Sequence, residues 1–336
     1  MSEDGKILSN RKTDHIDLAF DSQVLSGDER FNYEPLTAFN LDGPLEPVSF
    51  AGLQMNAPWW VSSMTGGAEK AGRINERLAK ACAKYGLGMG LGSCRPVLEN
   101  TEFGTDFLVR KWIGNQPLFA NLGIAQLEEI AETNAWPKLK DMIARLEANG
   151  LIIHINPLQE WMQPEGDDIR FNPLETIKRT IDALDCSIIV KEVGQGFGPE
   201  SLRALMKLPL AALDYGSLGG TNFSKLEYTR GGSNHMPGYE EVTRIGHTAH
   251  EMTTIVNRLM DELGSQCLCE NSIVSGGIRN FLDGYYNVTK SKMSAIYAQA
   301  SPFLKYALEG EESLHTFIES QLAGYKMANR TLKIKQ

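Results

Sequence analysis

From residue 58 onward the chain alternates short, nearly all-apolar runs with longer amphipathic ones. The short runs are 58–64, 87–92, 117–121, 151–155, 187–191, 210–214, 268–274 and 293–298, eight in all. Runs so brief and so apolar suit parallel strands buried on both faces. Between them, apolar residues recur at spacings of three and four. In 71–85 the set is Ile74, Leu78, Ala81, Cys82 and Tyr85. In 243–263 it is Met252, Ile255, Val256, Leu259, Met260 and Leu263, giving one buried stripe to each helix. Pro173 and Pro199 fall where a first helical turn accepts proline, after Asn172 and Gly198 as N-caps. Parallel strands joined by helices cross over right-handedly, and eight such units close into a barrel. The pattern predicts an α/β fold, a (β/α)8 TIM barrel over 58–336 with an N-terminal arm and hairpin over 1–57, within a single domain. A doubly wound open sheet is the runner-up, and it would not bring eight polar strand ends together. Residues 1–57 show no helix period, and 45–50 with 52–55 read as a hairpin closing one end of the barrel. The stretch 224–240, rich in Gly and Pro, reads as a long lid-like connection after the sixth strand.

Composition removes several function classes. Hydrophobic residues make up 42% of the 336 and charged residues 22%, ordinary globular usage that excludes disordered and fibrous chains. No window holds the roughly 18 uninterrupted apolar residues of a membrane-spanning helix. The first residues lack the apolar core of a signal peptide, so the expectation is a cytoplasmic protein without a membrane role. With 33 basic against 42 acidic residues, the formal net charge of −9 argues against non-specific nucleic-acid binding. An anionic substrate would need a local cluster of cations. The five cysteines (Cys82, Cys94, Cys186, Cys267 and Cys269) include no CxxC pair and read as reduced thiols.

A barrel places its chemistry at the C-terminal ends of its strands. Those ends read Met64-Thr65-Gly66-Gly67, Gly92-Ser93-Cys94-Arg95, Asn121-Leu122-Gly123, His154-Ile155-Asn156, Lys191-Glu192-Val193-Gly194, 214–221, Ser275-Gly276-Gly277 and Gln299-Ala300-Ser301. Each alone reads as a tight turn; eight together point to backbone N–H groups approaching a bulky polar ligand. Ser275-Gly276-Gly277-Ile278 and Ala300-Ser301-Pro302-Phe303 occupy the frequent phosphate position after strands seven and eight. No GxGxxG follows an early strand, so a mononucleotide such as FMN fits better than a dinucleotide held in Rossmann manner. Lys191, ending an apolar strand, would stabilise an anionic reduced flavin near N1 and the C2 carbonyl. His154 and Asn156 alternate onto one face, followed by Gln159 and Glu160. Alone, Glu160 reads as a solvated loop acid; beside a diphosphate it would complete part of a Mg²⁺ shell. Arg11 and Lys12 near a terminus are ordinarily solvated, but with Arg95 they could hold a diphosphate.

These residues resemble one family closely, the flavin-dependent type 2 isopentenyl-diphosphate Δ-isomerases. The matching motifs are Arg11-Lys12-x-x-His15-Ile16, Met64-Thr65-Gly66-Gly67, Gly92-Ser93-x-Arg95, Asn121-x-Gly123, His154-x-Asn156-x-x-Gln159-Glu160, Lys191-Glu192-Val193-Gly194, Gly219-Gly220-Thr221-Asn222-Phe223 and Ser275-Gly276-Gly277. The resemblance implies that Arg11, Lys12 and His15 form a substrate arm, and that Ser93 and Arg95 sit where cofactor and diphosphate meet. It further implies FMN contacts at Met64, Thr65, Gly66, Ser93, Asn121, Lys191, Thr221, Gly276, Gly277, Ile278, Ala300 and Ser301. Gln159 would touch the substrate, Glu160 would bind Mg²⁺, and His154, Asn156, Gln159 and Glu227 would make up the catalytic set. The implied reaction of isoprene biosynthesis converts isopentenyl to dimethylallyl diphosphate by a 1,3-allylic proton shift. Reduced FMN would be acid and base, NADPH only keeping it reduced, in a homotetramer or homo-octamer.

Three stretches depart from the family's usual pattern: 214–218, 298–301 and 281–294. Three rivals share the fold expectation. One, a nucleotide dehydrogenase, would need a cysteine nucleophile after strand six, and no cysteine occurs between Cys186 and Cys267. A hydroxy-acid oxidase would need a histidine–arginine pair at the barrel mouth, yet His235, His247 and His250 follow only after a long loop. A flavin-binding barrel without catalysis would need neither Glu160 nor the arm.

Overall fold

The computed structural model describes residues 3–64, 71–231 and 238–335. Its strands are β1 (Phe31–Tyr33), β2 (Val48–Phe50), β3 (Leu53–Met55), β4 (Trp59–Val61), β5 (Gly88–Gly90), β6 (Leu118–Gly123), β7 (Gly150–Ile155), β8 (Ser187–Glu192), β9 (Ala212–Asp214), β10 (Asn271–Val274), β11 (Ser294–Gln299) and β12 (Leu332–Ile334). β4 to β11 pair in parallel in chain order, and β11 returns to β4, closing the barrel. Each of the eight apolar runs holds one of these strands. Four strands are shorter than their runs, with 268–274 contributing Asn271–Val274 and 210–214 contributing Ala212–Asp214, while β6, β7 and β8 extend past theirs.

The barrel interior is a compact apolar cluster of Trp60, Phe119, Ile152, Ile189, Ala212, Ile273, Ile296 and Ala298. Phe50 and Met55 join it from the antiparallel β2–β3 hairpin, so the hairpin stoppers the barrel with two buried side chains. Each large apolar side chain so buried contributes about 1.5–3 kcal/mol. The outer faces of the strands meet the helices: Trp59 stacks on Tyr297 at 5.7 Å and packs against Phe303 at 4.7 Å.

Ala71–Tyr85 is helical as its spacing predicts. The second predicted helix begins six residues late, at Ala249, because Thr248 and Glu251 form a reciprocal capping box there. Asn172 caps the helix Pro173–Ala183 by accepting the Leu174 N–H at 2.9 Å. Two expectations need correction. The arm does contain a helix, Glu3–Asp17, and residues 10–29 are exposed throughout. With Ile7, Leu8 and Ile16 as its large apolar residues, the helix has no apolar stripe at spacings of three and four to detect. The stretch 224–240 is not a bare loop: it carries most of the helix Phe223–Gly231 and the start of Tyr239–Val242, while 232–237, with His235, lie outside the described residues. The aromatic character of 281–294 also finds its cause. Tyr285 in the helix Phe281–Lys290 packs edge-on against Tyr325 and at a tilt against Phe31 of β1, which pairs with β12. Among the described residues no helix is long and apolar enough to cross a membrane.

Candidate active site

The ends of β4 and β8 to β11 surround a cavity of about 500 Å³. Much of its wall is backbone, with Gly194, Gly216, Gly219, Gly220, Gly276 and Gly277 among the lining residues. Gly276 has φ +84°, and a Cβ there would lie 2.0 Å from the Ser217 carbonyl oxygen. The loops after β9 and β10 therefore nest at a distance only glycine permits. Side chains lock the nest: the Gly216 N–H donates to Ser275 Oγ at 2.8 Å, and Ser217 Oγ donates to the Ser275 carbonyl at 2.5 Å. Across the cavity mouth Thr221 Oγ1 and Ser301 Oγ share a hydrogen bond of 2.7 Å. Ser301 opens the helix Ser301–Glu309, so an N-terminus with unpaired N–H groups borders the hollow.

Lys191 supplies the charge in that wall. It is buried, and its Nζ lies 3.1 Å from Oδ2 of the fully buried Asp214. Parallel register makes the pair, since Lys191 faces Asp214 on β9 and His154 on β7. His154 Nδ1 is 2.8 Å from Asn121 Oδ1, while Asn121 Nδ2 donates to the Leu91 carbonyl at 3.0 Å. The amide oxygen must then accept, so Nδ1 carries the imidazole proton. Desolvation, with the positive charge of Lys191 second, lowers the His154 pKa to about 4, and the ring is neutral at pH 7. Next to Lys191, Glu192 Oε2 accepts the N–H groups of Gly194, Gln195 and Gly196 at 2.7, 2.6 and 2.8 Å. These bonds fix the loop carrying Val193 and Gly194 into the wall. Burial nevertheless holds the Glu192 pKa above its ordinary value.

A second cluster follows β7. Asn156 precedes the helix Pro157–Met162, and its Nδ2 donates to Gln159 Oε1 at 3.2 Å and Glu160 Oε1 at 2.7 Å. Glu160 Oε2 accepts the Asp167 N–H at 2.8 Å. Asp167 also binds Arg95, whose Nη1 lies 3.0 Å from Oδ2, while Arg95 Nε reaches Glu99 at 2.7 Å. The helix Phe223–Gly231 packs against Pro157–Met162 and brings in the buried Glu227, which pairs with Arg230 Nε at 2.7 Å.

The structure thus gathers Lys191, Thr221, Gly276, Gly277, Ile278, Ala300 and Ser301 around one hollow, and His154 with Asn121 directly behind Lys191. Asn156, Gln159 and Glu160 form their own hydrogen-bonded unit. Met64 is partly buried three residues past β4, and Thr65 and Gly66 lie outside the described residues. Ser93 and Arg95 are exposed and do not line the cavity; Arg11, Lys12 and His15 stand on the exposed arm helix, away from its lining. Sequence reasoning missed Asp214 as the partner of Lys191, Ser62, Ser63 and Arg279 as lining residues, and Asp167 as a bridge. Only Asp214 had a signal, an acid closing an apolar strand.

The hollow suits a phosphorylated ring with carbonyl oxygens. Ser63 Oγ and Gln299 Oε1 are buried, line the cavity and have no hydrogen-bond partner among the described residues. A polar occupant would satisfy them, as backbone N–H groups and Lys191 would satisfy its anionic parts. No group of three or more His, Cys, Asp or Glu able to hold a metal occurs among the described residues. A single carboxylate such as Glu160 fits Mg²⁺ only where substrate phosphates and water complete the shell.

No family model matches the chain. It is 32% identical over 329 residues to the isopentenyl-diphosphate delta-isomerase of a Nostoc species, covering 96% of this chain and 91% of that protein. It is 33% identical over 335 residues to the isopentenyl-diphosphate delta-isomerase of Rickettsia felis, covering 96% and 94%. Among solved structures, a flavocytochrome b2 variant with benzoylformate superposes with a TM-score of 0.60 at 12% identity, covering 89% of this chain and 71% of that one. A mandelate oxidase variant with a monooxide FMN adduct gives 0.54 at 14% identity, covering 91% and 88%. At such identities the likeness is one of fold.

Proposed function

This chain belongs to the isopentenyl-diphosphate delta-isomerase family, and from that premise we propose that it interconverts isopentenyl and dimethylallyl diphosphate by a 1,3-allylic proton shift. The observation that carries the reading is the shared hollow of Lys191, the Gly276–Gly277 nest and Ser301. It is what an FMN site needs, and the fold neighbours include FMN-containing barrels. When bound, the reduced flavin supplies acid–base chemistry, with no net electron transfer.

The chain's own residues bind and orient. Gly276, Gly277, Ile278, Ala300 and Ser301 offer N–H groups to the cofactor phosphate, and Thr221 ties the loop after β9 to Ser301. Lys191 places its charge against the ring; Asp214, paired with it, holds the ammonium in place. By the family resemblance, Met64, Thr65, Gly66 and Asn121 would add cofactor contacts, and Ser93 would do so from the rim outside the cavity lining. His154, neutral and fixed by Asn121, adds no second cation beside Lys191. Asn156 sets the Gln159 and Glu160 side chains, Gln159 meets the alkene end of the substrate, and Glu227 stands by as an acid from the facing helix. Glu160 would hold Mg²⁺ against the diphosphate, with Arg95 and the arm residues Arg11, Lys12 and His15 as its cations. Fixed orientation in a dry site is the main source of rate.

NADPH enters only as reductant, and the working assembly is a cytoplasmic homotetramer or homo-octamer. The test is an isomerase assay with FMN, Mg²⁺ and NADPH under anaerobic conditions. Product should exceed NADPH consumed many-fold. One NADPH per product, or oxidation of a 2-hydroxy acid in its place, would overturn the proposal.

A further inference from the structure

We propose that Asp167 is a positioning residue for diphosphate binding: it holds the Arg95 guanidinium beside the Glu160 carboxylate, so that cation and metal ligand meet the same phosphate group. This rests on the isomerase reading for the nature of the anion. Three βα connections, after β5, β6 and β7, converge on Asp167. From the loop after β5, Arg95 Nη1 lies 3.0 Å from Oδ2. From the helix after β6, Gln126 Nε2 donates to the same oxygen at 2.6 Å. From the helix Pro157–Met162 after β7, Glu160 Oε2 accepts the Asp167 N–H at 2.8 Å.

The backbone is built to bring Asp167 there. At Gly166 a Cβ would lie 2.0 Å from the Glu160 carbonyl oxygen, so only glycine lets the chain double back onto Glu160. Beyond it, the buried Glu128 accepts the Arg170 and Phe171 N–H groups at 3.1 and 3.3 Å and pins the far end of the loop. Stability does not explain this construction. Arg95 and Asp167 are both well exposed, and such pairs add little to folding. Arg95 also has an alternative partner in Glu99, four residues along its own chain. Without the Asp167 charge the guanidinium has only Glu99 left among the described residues, and that carboxylate belongs to the β5 connection alone. Asp167 is what spans the gap to Glu160.

The test is calorimetric titration of inorganic pyrophosphate into FMN-loaded protein with Mg²⁺, comparing wild type, Asp167→Asn, Arg95→Gln and the double variant. Asp167→Asn keeps the backbone N–H and the side-chain shape while removing the charge. Its affinity for pyrophosphate should fall about tenfold, and the double variant should bind no more weakly than Arg95→Gln alone, the mark of residues acting through each other. In turnover the loss should lie in KM more than in kcat, with flavin affinity unchanged. Gln126→Leu removes a donor to the same carboxylate while leaving both charges; it should weaken pyrophosphate binding about threefold and serves if Asp167→Asn fails to fold. Unchanged or tighter binding, additive losses, or a lowered melting temperature alone would overturn the inference. If wild type binds pyrophosphate in this pattern but does not isomerise, the isomerase reading fails and the positioning role stands.

Discussion

The two sides of the barrel mouth are built from opposite materials. Over β8 to β11 the wall is backbone, nested through glycines, with an ion pair sealed inside: Lys191 and Asp214 side chains are 9% and 0% exposed. Over β5 to β7 the rim is side chain, and its ion pair of Arg95 and Asp167 is 48% and 37% exposed. A buried wall is preorganised and changes little with what it binds, which suits a resident cofactor. An exposed rim of charges can exchange partners, which suits a substrate that comes and goes with its metal.

The comparison breaks most readily at the buried pair. Asp214→Ala leaves Lys191 buried without its counter-charge and should cost about 3–5 kcal/mol in urea unfolding. Asp167→Ala, in the same measurement, should cost about 1 kcal/mol or less. Equal costs would erase the distinction between the two sides. Gly276→Ala comes next. The left-handed φ of +84° and the 2.0 Å approach to Ser217 act together, for a loss of about 3 kcal/mol. Flavin affinity, followed by absorbance on titration, should fall with it by about a hundredfold.

Gln159→Asn sharpens the other side. The flavin should bind as in wild type while turnover falls about 10- to 100-fold, since only the orientation of the substrate is disturbed. Normal turnover would remove Gln159 from the site.

The smallest effect concerns His154. Its folded pKa of about 4 lies below the ordinary 6.5, so as pH falls the unfolded chain takes up the proton first. Its effect on stability is nil above pH 6.5 and increasingly unfavourable from there down to about 4. Between pH 7.5 and 4.5, wild type should therefore lose more stability than His154→Asn, measured by urea midpoints. Parallel losses would mean that the imidazole titrates normally.

Much of the barrel was legible because strands buried on both faces leave unbroken apolar runs, and their ends could be read off in order. The glycine pairs were legible as special positions, but not the reason: the sequence shows that Gly276 stands in a turn, not that the Ser217 carbonyl occupies the space of its Cβ. Lys191 could be marked as a misplaced cation. Its partner could not, because pairing with Asp214 depends on the register of β8 against β9. Asp167 gave no signal at all, since a loop acid that bridges three connections looks like any solvated one. The arm helix was hidden for the opposite reason to the strands: residues 10–17 of Glu3–Asp17 are exposed, and periodicity reports burial rather than helicity.

The most direct test of this division of labour is a crystal structure of the protein with reduced FMN, Mg²⁺ and isopentenyl diphosphate. The expected result has the flavin phosphate among Gly276, Gly277 and Ser301, the ring against Lys191, and the diphosphate with its metal between Glu160 and Arg95. A flavin lying outside the glycine-walled hollow, or a diphosphate held within it in the cofactor's place, would contradict the account.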